Sequence, residues 1–127
     1  MDHAKRQIEC TIPILPVREL AKSISFYTEI LGFKLDWSGD VVCSVSRDGC
    51  PIMLSAEVKP AGSAWVWIGL EDDSLFAEYR KRGVKVRQEP RNHAWAYEMK
   101  FEDLDGNVLW LGTEPKKDIP FAEAKDG

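Results

Sequence analysis

Histidine and cysteine are scarce in this sequence, so few side chains are available for metal binding or nucleophilic chemistry. Only His3 and His93 are present. The three cysteines, Cys10, Cys43 and Cys50, show no CxxC spacing and leave an odd count. We therefore expect free, non-catalytic thiols in a reducing, cytoplasmic environment.

Long apolar runs and basic blocks are also missing. The apolar runs fall far short of the roughly 20 residues of a membrane helix, and MDHAKRQIEC at the start lacks the core of a signal peptide. No basic block exceeds YRKRG at 79–83, and the net charge is −4. Nucleic-acid binding is therefore disfavoured, whereas the acidic balance suits a cationic ligand.

The same order of elements is predicted twice along the chain. The first series is an extended run at 8–17, a helix at 19–31 and strands at 33–37, 41–47 and 51–56. The second series is a strand at 63–70, a helix at 74–83 and strands at 84–89, 96–103 and 107–113. Gly32 and Gly83 stand at the helix ends, and Asp-Gly pairs at 48–49 and 105–106 supply turns.

This internal repeat divides the chain. We expect one βαβββ module over 8–57 and a second over 63–114, with terminal segments at 1–7 and 115–127. The last segment is charged, and we expect it to be loosely held.

Alternation of side chains along the strands predicts two different sheet faces. Val66, Ile68 and Leu70 share an aliphatic face suited to cover by the amphipathic helices. Trp65 and Trp67 share the opposite face of their strand, and Trp110 lies on the corresponding face of the last strand, with small residues between the rings. Such an aromatic face suits a second core, a dimer interface or stacking against flat heterocycles.

Two segments carry a resemblance to a known family. IPILPVRELAKSISFYTEILGFKLDW and FEDLDGNVLWL resemble the opening and closing motifs of the glyoxalase/bleomycin-resistance (vicinal-oxygen-chelate) superfamily. SAWVWI at 63–68 resembles its bleomycin-resistance branch, as does the order Trp95, Glu98, then Asp-Gly-Asn at 105–107. The resemblance implies an α+β fold, in which two βαβββ modules form a curved mixed sheet with helices on its outer face.

The resemblance also bears on metals and cofactors. The four ligand positions of the family's metal-dependent enzymes correspond here to Ile12, Met53, Trp65 and Trp110. Isoleucine and tryptophan donate no lone pair to a hard cation, and a thioether is a poor ligand for one. We therefore expect no metal, no cofactor and no catalytic residue, and we interpret His93 as a histidine of a surface loop.

The branch implies a ligand, an assembly and a set of contact residues. Its members are homodimers with clefts at the interface, each of which sequesters a cationic glycopeptide antibiotic of the bleomycin class without modifying it. Their first strand is exchanged between subunits around a proline that matches Pro13. The expected ligand-binding residues are Asp36, Trp37, Ser55, Trp65, Trp67, Trp95, Glu98 and Trp110. The shorter loop before Trp95 and the indole at 110 depart from the branch.

Two other functions stay open at this point. One is a glyoxalase-like enzyme of unknown substrate that acts without the usual metal, using Glu98, Glu102 or Asp103 as acid–base groups, of which only Glu98 is expected to face the cleft. The other is a binding protein for a different aromatic cation.

Overall fold

The computed structural model describes residues 5–122, which form eight strands and two short helices. The first half contains β1 (Ile14–Pro16), α1 (Leu20–Ser25), β2 (Lys34–Ser38), β3 (Val42–Arg47) and β4 (Cys50–Ser55). The second half contains β5 (Trp65–Gly69), α2 (Ser74–Lys81), β6 (Lys85–Asn92), β7 (Tyr97–Glu102) and β8 (Val108–Thr113). The predicted α+β class is confirmed, and the order of elements repeats as the sequence indicated.

The strands form two four-stranded mixed sheets with the same topology. Their orders are β1-β4-β3-β2 and β5-β8-β7-β6. In each sheet the first pair is parallel and the other pairs are antiparallel. This shared topology means that each position in one sheet has a counterpart in the other.

A single hydrophobic core lies on the aliphatic side of both sheets. Ile52 and Leu54 of β4, and Leu109 and Leu111 of β8, are buried there. Val66, Ile68 and Leu70 pack against this core, as the alternation predicted. The helices contribute aromatic side chains to this core, among them Tyr79 of α2. Burial of this apolar surface is what holds the helices against the sheets.

Both helices end as the sequence predicted, although the first is less regular. Gly32 and Gly83 each adopt a φ of +80°, the left-handed conformation that closes a helix and favours glycine. After α1 the chain continues as a π-helical turn over Phe26–Ile30 before it reaches Gly32. The spacing of apolar residues gave no sign of this turn.

The first strand is shorter than the predicted run at 8–17. Only Ile14–Pro16 pairs as a strand, because Pro13 and Pro16 have no N–H to donate to a ladder. β1 pairs with β4 of its own chain, where the Met53 N–H donates to the Pro13 carbonyl at 3.0 Å.

The carboxyl-terminal segment is better held than the sequence indicated. The expectation of a loose tail is wrong for residues 115–122, because the buried Asn92 side chain binds their backbone. Its amide nitrogen donates to the carbonyls of Lys116 and Ile119 at 2.8 and 2.7 Å, and its oxygen accepts the Lys116 N–H at 2.8 Å. The predicted tail residues 123–127 and the predicted N-terminal residues 1–4 lie outside the described part of the chain.

The Asp-Gly-Asn segment after β7 has a structural role. The buried Asn107 amide accepts the Ala64 N–H and donates to the Pro16 carbonyl and to Asp103. Asp103 also accepts the Tyr27 hydroxyl at 2.9 Å, and Tyr27 belongs to the π-helical turn. These hydrogen bonds tie β1, the first helical segment and the start of β5 to the β7–β8 turn.

Within residues 5–122 neither helix is long and apolar enough to cross a membrane.

Candidate functional site

Three tryptophans come together on the face of the second sheet that points away from the core. Trp67 of β5 lies opposite Trp110 of β8, with ring centroids 5.5 Å apart and planes at 80°. Trp65 lies on the other side of Trp110, at 6.0 Å and 81°. We call these three residues the indole wall. Trp65 and Trp67 are half exposed, which is unusual because burial of a large aromatic side chain normally stabilises the fold.

Two cationic side chains lie against the indole wall. The Lys100 ammonium lies 4.7 Å from the Trp110 ring centroid and 5.7 Å from that of Trp65. The Arg87 guanidinium lies 5.1 Å from the Trp65 ring centroid. Both contacts are within the range of a cation–π interaction. The sequence reasoning missed them, although Lys100 is two positions from Glu98 on one strand and must therefore share its face.

Glu98 lies on the same face but is sealed beneath its neighbours. It is 1% exposed, and its Oε2 atom lies 3.6 Å from the Lys100 ammonium and 3.7 Å from Nε2 of His93. The Gln88 amide donates to the same oxygen at 3.4 Å. The other oxygen, Oε1, has no hydrogen-bond partner among the described residues. Lys100 therefore offsets the charge of Glu98 within the protein.

His93 is not the surface histidine that its turn-like surroundings indicated. It is only 4% exposed, because Trp95 covers it: the two rings are stacked with centroids 4.3 Å apart and planes within 5°. Trp95 itself is 65% exposed on its outer side. The loop before β7 therefore presents a second aromatic surface close to Glu98. The only sign of this stacked pair in the sequence is that His93 and Trp95 are two positions apart.

On the first sheet, Asp36 and Trp37 are brought to the same face by a β-bulge. The ladder between β2 and β3 shifts between Leu35 and Trp37, so that Trp37 lies opposite Ser44. The Asp36 carboxylate accepts the Ser46 hydroxyl at 3.0 Å, and Ser46 shares the face of Ser44. Two consecutive residues on one face break the normal alternation, which is what a bulge allows. Trp37 is 49% exposed.

The second sheet has a bulge at the matching place. The ladder between β6 and β7 shifts between Val86 and Gln88, so Arg87 occupies the position that Asp36 has in the first sheet. Gln88 correspondingly matches Trp37. The two sheets therefore have the same bulge but different side chains at it. The first sheet carries a carboxylate and an indole there, and the second carries a guanidinium and an amide.

Ser55, the remaining predicted contact residue, is covered within the single chain. It is 5% exposed, and its hydroxyl oxygen accepts the Glu57 N–H at 3.1 Å.

The four positions that the resemblance matches to metal ligands carry side chains that do not fit a metal. Met53 lies opposite Ile14 in the β1–β4 pair, as Trp110 lies opposite Trp67 in the β5–β8 pair. Ile12 and Trp65 occupy the other two positions. An alkyl chain, a thioether and two indoles provide no hard ligand for a divalent cation. Within residues 5–122 no three His, Cys, Asp or Glu side chains are grouped to hold a metal ion elsewhere.

Like Glu98, the other two acid–base candidates have partners inside the protein. Asp103 accepts the hydrogen bonds that tie the first helical segment to the β7–β8 turn. Glu102 pairs with Lys85 at 3.5 Å and Arg87 at 3.4 Å. These two carboxylates therefore have roles in the structure that involve no substrate.

Comparison with known proteins places the chain in a family. It belongs to the Glyoxalase/Bleomycin resistance protein/Dioxygenase superfamily, whose model matches residues 2–111. A glyoxalase/bleomycin resistance protein from Streptomyces sp. CB03234 is 31% identical, with a TM-score of 0.68, over 80% of this chain and 96% of that one. No curated protein matches the chain.

Two further solved structures are antibiotic-binding proteins. TnmS3, an antibiotic binding protein from Streptomyces sp. CB03234, is 29% identical with a TM-score of 0.74, over 91% of this chain and all of that one. The bleomycin-binding protein from bleomycin-producing Streptomyces verticillus, complexed with copper(II)-bleomycin, is 19% identical with a TM-score of 0.75, over 88% and 100% of the two chains. The fold of this protein is therefore shared with binding proteins for antibiotics.

Proposed function

We propose that this protein captures an aromatic antibiotic and withholds it from its target without modifying it, and that the ligand is a cationic glycopeptide of the bleomycin type. The observation that carries the proposal is the indole wall, in which Trp65 and Trp67 remain 50% and 49% exposed on an open sheet face. Flat heteroaromatic rings stack on such a surface, and each aromatic pair is worth about 0.5–1.5 kcal/mol beyond the buried area.

The two sheets would contribute differently to the ligand. The exposed rings of Trp37 and Trp95 extend the aromatic surface available for stacking. The Asp36 side chain is 28% exposed, and the Lys34 ammonium lies 4.0 Å from it on a highly exposed side chain. A cationic tail of the ligand would compete with Lys34 for this carboxylate, an attraction that salt weakens. The net charge of −4 acts in the same direction over longer distances. No step of this capture requires a catalytic residue or a cofactor.

A second copy of the chain would complete the site. In a homodimer the exposed aromatic faces of the two sheets would become the walls of two equivalent clefts, which a small domain cannot enclose alone. We propose that in this assembly β1 leaves β4 of its own chain and pairs with β4 of the other copy, with the exchange occurring around Pro13, and that the dimer acts in the cytoplasm. Light scattering coupled to size exclusion measures the mass of the assembly directly.

Titration with bleomycin tests the capture. Tryptophan fluorescence should be quenched with saturation at about one ligand per chain, and the ligand should be recovered chemically unchanged after the protein is denatured. The Trp65→Leu variant should bind more weakly, whereas Leu104→Ala should bind normally, because Leu104 is an exposed apolar residue in the groove beside α1.

Three results would contradict the proposal. A flat titration at micromolar bleomycin would show that this ligand is wrong. Consumption of more than one equivalent of ligand per chain would show an enzyme instead. A host that is no more resistant when it expresses the protein would show that capture, if present, does not protect.

A further inference from the structure

The indole wall already carries its own cations. Arg87 lies on the Trp65 ring, and Lys100 lies between the rings of Trp65 and Trp110, at the distances given above. The electron-rich ring faces that would attract a planar cation are therefore partly occupied by protein side chains.

The negative partners of these cations lie behind the surface. Glu98, next to Lys100, is 1% exposed, and the Glu102 side chain, next to Arg87, is 15% exposed. The Lys100 side chain is screened to a similar degree, at 14% exposed, whereas the Arg87 side chain is 45% exposed. What faces outward beside Trp65 is therefore a guanidinium, while the carboxylates that balance it are largely screened from a ligand.

The most exposed polar group at the wall is a hydrogen-bond donor. The Arg87 guanidinium can only donate, and its side chain is 45% exposed. The Lys100 ammonium is largely buried and already donates to Oε1 of Gln88 at 2.9 Å. A ligand ring that brings an oxygen acceptor would pair with Arg87, whereas a ring that brings an ammonium group would face a like charge there.

We propose that the indole wall selects planar aromatic rings that carry an acidic or acceptor-rich group, such as a carboxylate or a phenolate, over planar cations. The inference rests on the proposed capture of an aromatic ligand and names the chemistry of the ring that lies against the second sheet. It leaves a cationic tail free to lie elsewhere, near Asp36.

Three anthracene probes, substituted at the same ring position with a carboxylate, a hydroxymethyl or an aminomethyl group, test this by isothermal calorimetry at low salt. The carboxylate should bind the full protein about tenfold more tightly than the ammonium, with the neutral probe between them. This preference should shrink as salt is added, because the charges involved are partly exposed.

The chain offers a matched pair of variants. Arg87→Gln and Lys85→Gln each remove one positive charge and one ion pair with Glu102, but only Arg87 lies on an indole ring. Arg87→Gln should reduce the preference to about threefold or less, and Lys85→Gln should leave it unchanged.

The results separate this inference from the proposed function. If the three probes bind equally, or the ammonium probe binds best, the inference is wrong and the capture of aromatic ligands stands. If bleomycin binds and none of the probes does, the inference is wrong because the wall does not take simple rings. If neither bleomycin nor any probe binds, the proposed function fails as well.

Discussion

The six-membered ring of Trp67 occupies the space directly over Gly112, where a Cβ atom would lie 2.1 Å from Cη2 of the indole. Gly112 is a strand residue whose φ is not in the left-handed region, so the backbone itself would accept a side chain. The glycine is therefore required by the indole and not by the turn chemistry that usually explains glycine.

Gly112→Ala should displace the Trp67 ring and weaken aromatic ligands, with a loss of stability of no more than about 1 kcal/mol, because an exposed ring can move away. Near-ultraviolet circular dichroism reports the change in ring packing, and calorimetry reports the affinity. Gly39→Ala is the control, since the nearest atom to its Cβ would be at an ordinary 3.5 Å. Unchanged affinity in Gly112→Ala would show that the position of Trp67 does not matter for binding.

Removal of the Asn107 side chain should lower the free energy of unfolding by about 2–4 kcal/mol, because the Pro16 carbonyl and the Ala64 N–H both lose a buried partner. Tyr27→Phe, which removes a single hydrogen bond to Asp103, should cost about 1 kcal/mol. Urea unfolding followed by fluorescence measures both. Equal losses in the two variants would contradict the central role given to Asn107.

Alkaline pH should destabilise the protein through two buried tyrosines. Burial and the neighbouring Asp103 raise the pKa of Tyr27 well above its ordinary value, and burial raises the pKa of Tyr79 to about 12. Each tyrosine has a higher pKa in the folded protein than in the unfolded chain, so its neutral hydroxyl stabilises the fold. This contribution to the free energy of unfolding is fully present below about pH 10 and is lost as the pH rises from there towards pH 12 and beyond.

The slope should approach about 1.4 kcal/mol per pH unit for each tyrosine within this range. Urea unfolding at a series of pH values measures it, and absorbance of tyrosinate should rise together with unfolding. The Tyr79→Phe variant should have a shallower slope. A slope that is the same in the variant would show that Tyr79 does not contribute.

Asn92→Ala should release the segment that follows β8. The Lys116 amide donates to the Asn92 side chain, so its hydrogen exchange should become fast in the variant. Lys116→Met is the control, since it removes the exposed ion pair with Asp73 and the cation–π contact with Tyr97 but leaves the hydrogen bonds of the Asn92 side chain to the backbone intact. Slow exchange that persists in Asn92→Ala would show that the segment is held by other contacts.

Periodicity predicted the parts of this structure that follow local rules. Alternation along β5 and β8 correctly placed Trp65, Trp67 and Trp110 on one face, and glycine correctly marked both helix ends. The same rule could not predict the bulges in β2 and β6, because a bulge is set by how a strand pairs with its neighbour and not by the alternation within the strand itself. Arg87 was therefore not recognised as a neighbour of Trp65.

Burial of polar groups was the other feature that the sequence did not reveal. Asn92 and His93 are consecutive residues in a segment of turn-like composition, and both are buried. Trp95 covers His93, and the backbone around Ile119 covers Asn92. The composition of a segment predicts its average exposure, whereas the burial of these two side chains depends on individual contacts. The ligand roles of the eight predicted residues remain predictions that the binding experiments decide.

The paired bulges have a consequence for the polarity of the proposed binding surface. Asp36 on one sheet and Arg87 on the other occupy equivalent backbone positions. The backbone geometry at these positions is therefore set by the fold, whereas the sign of the charge on each sheet is set by a single residue. Exchanging the two residues, as D36R together with R87D, would reverse the electrical polarity of the binding surface while the total charge stayed the same. A change in the polarity of this surface would then need few substitutions and no remodelling of the chain path.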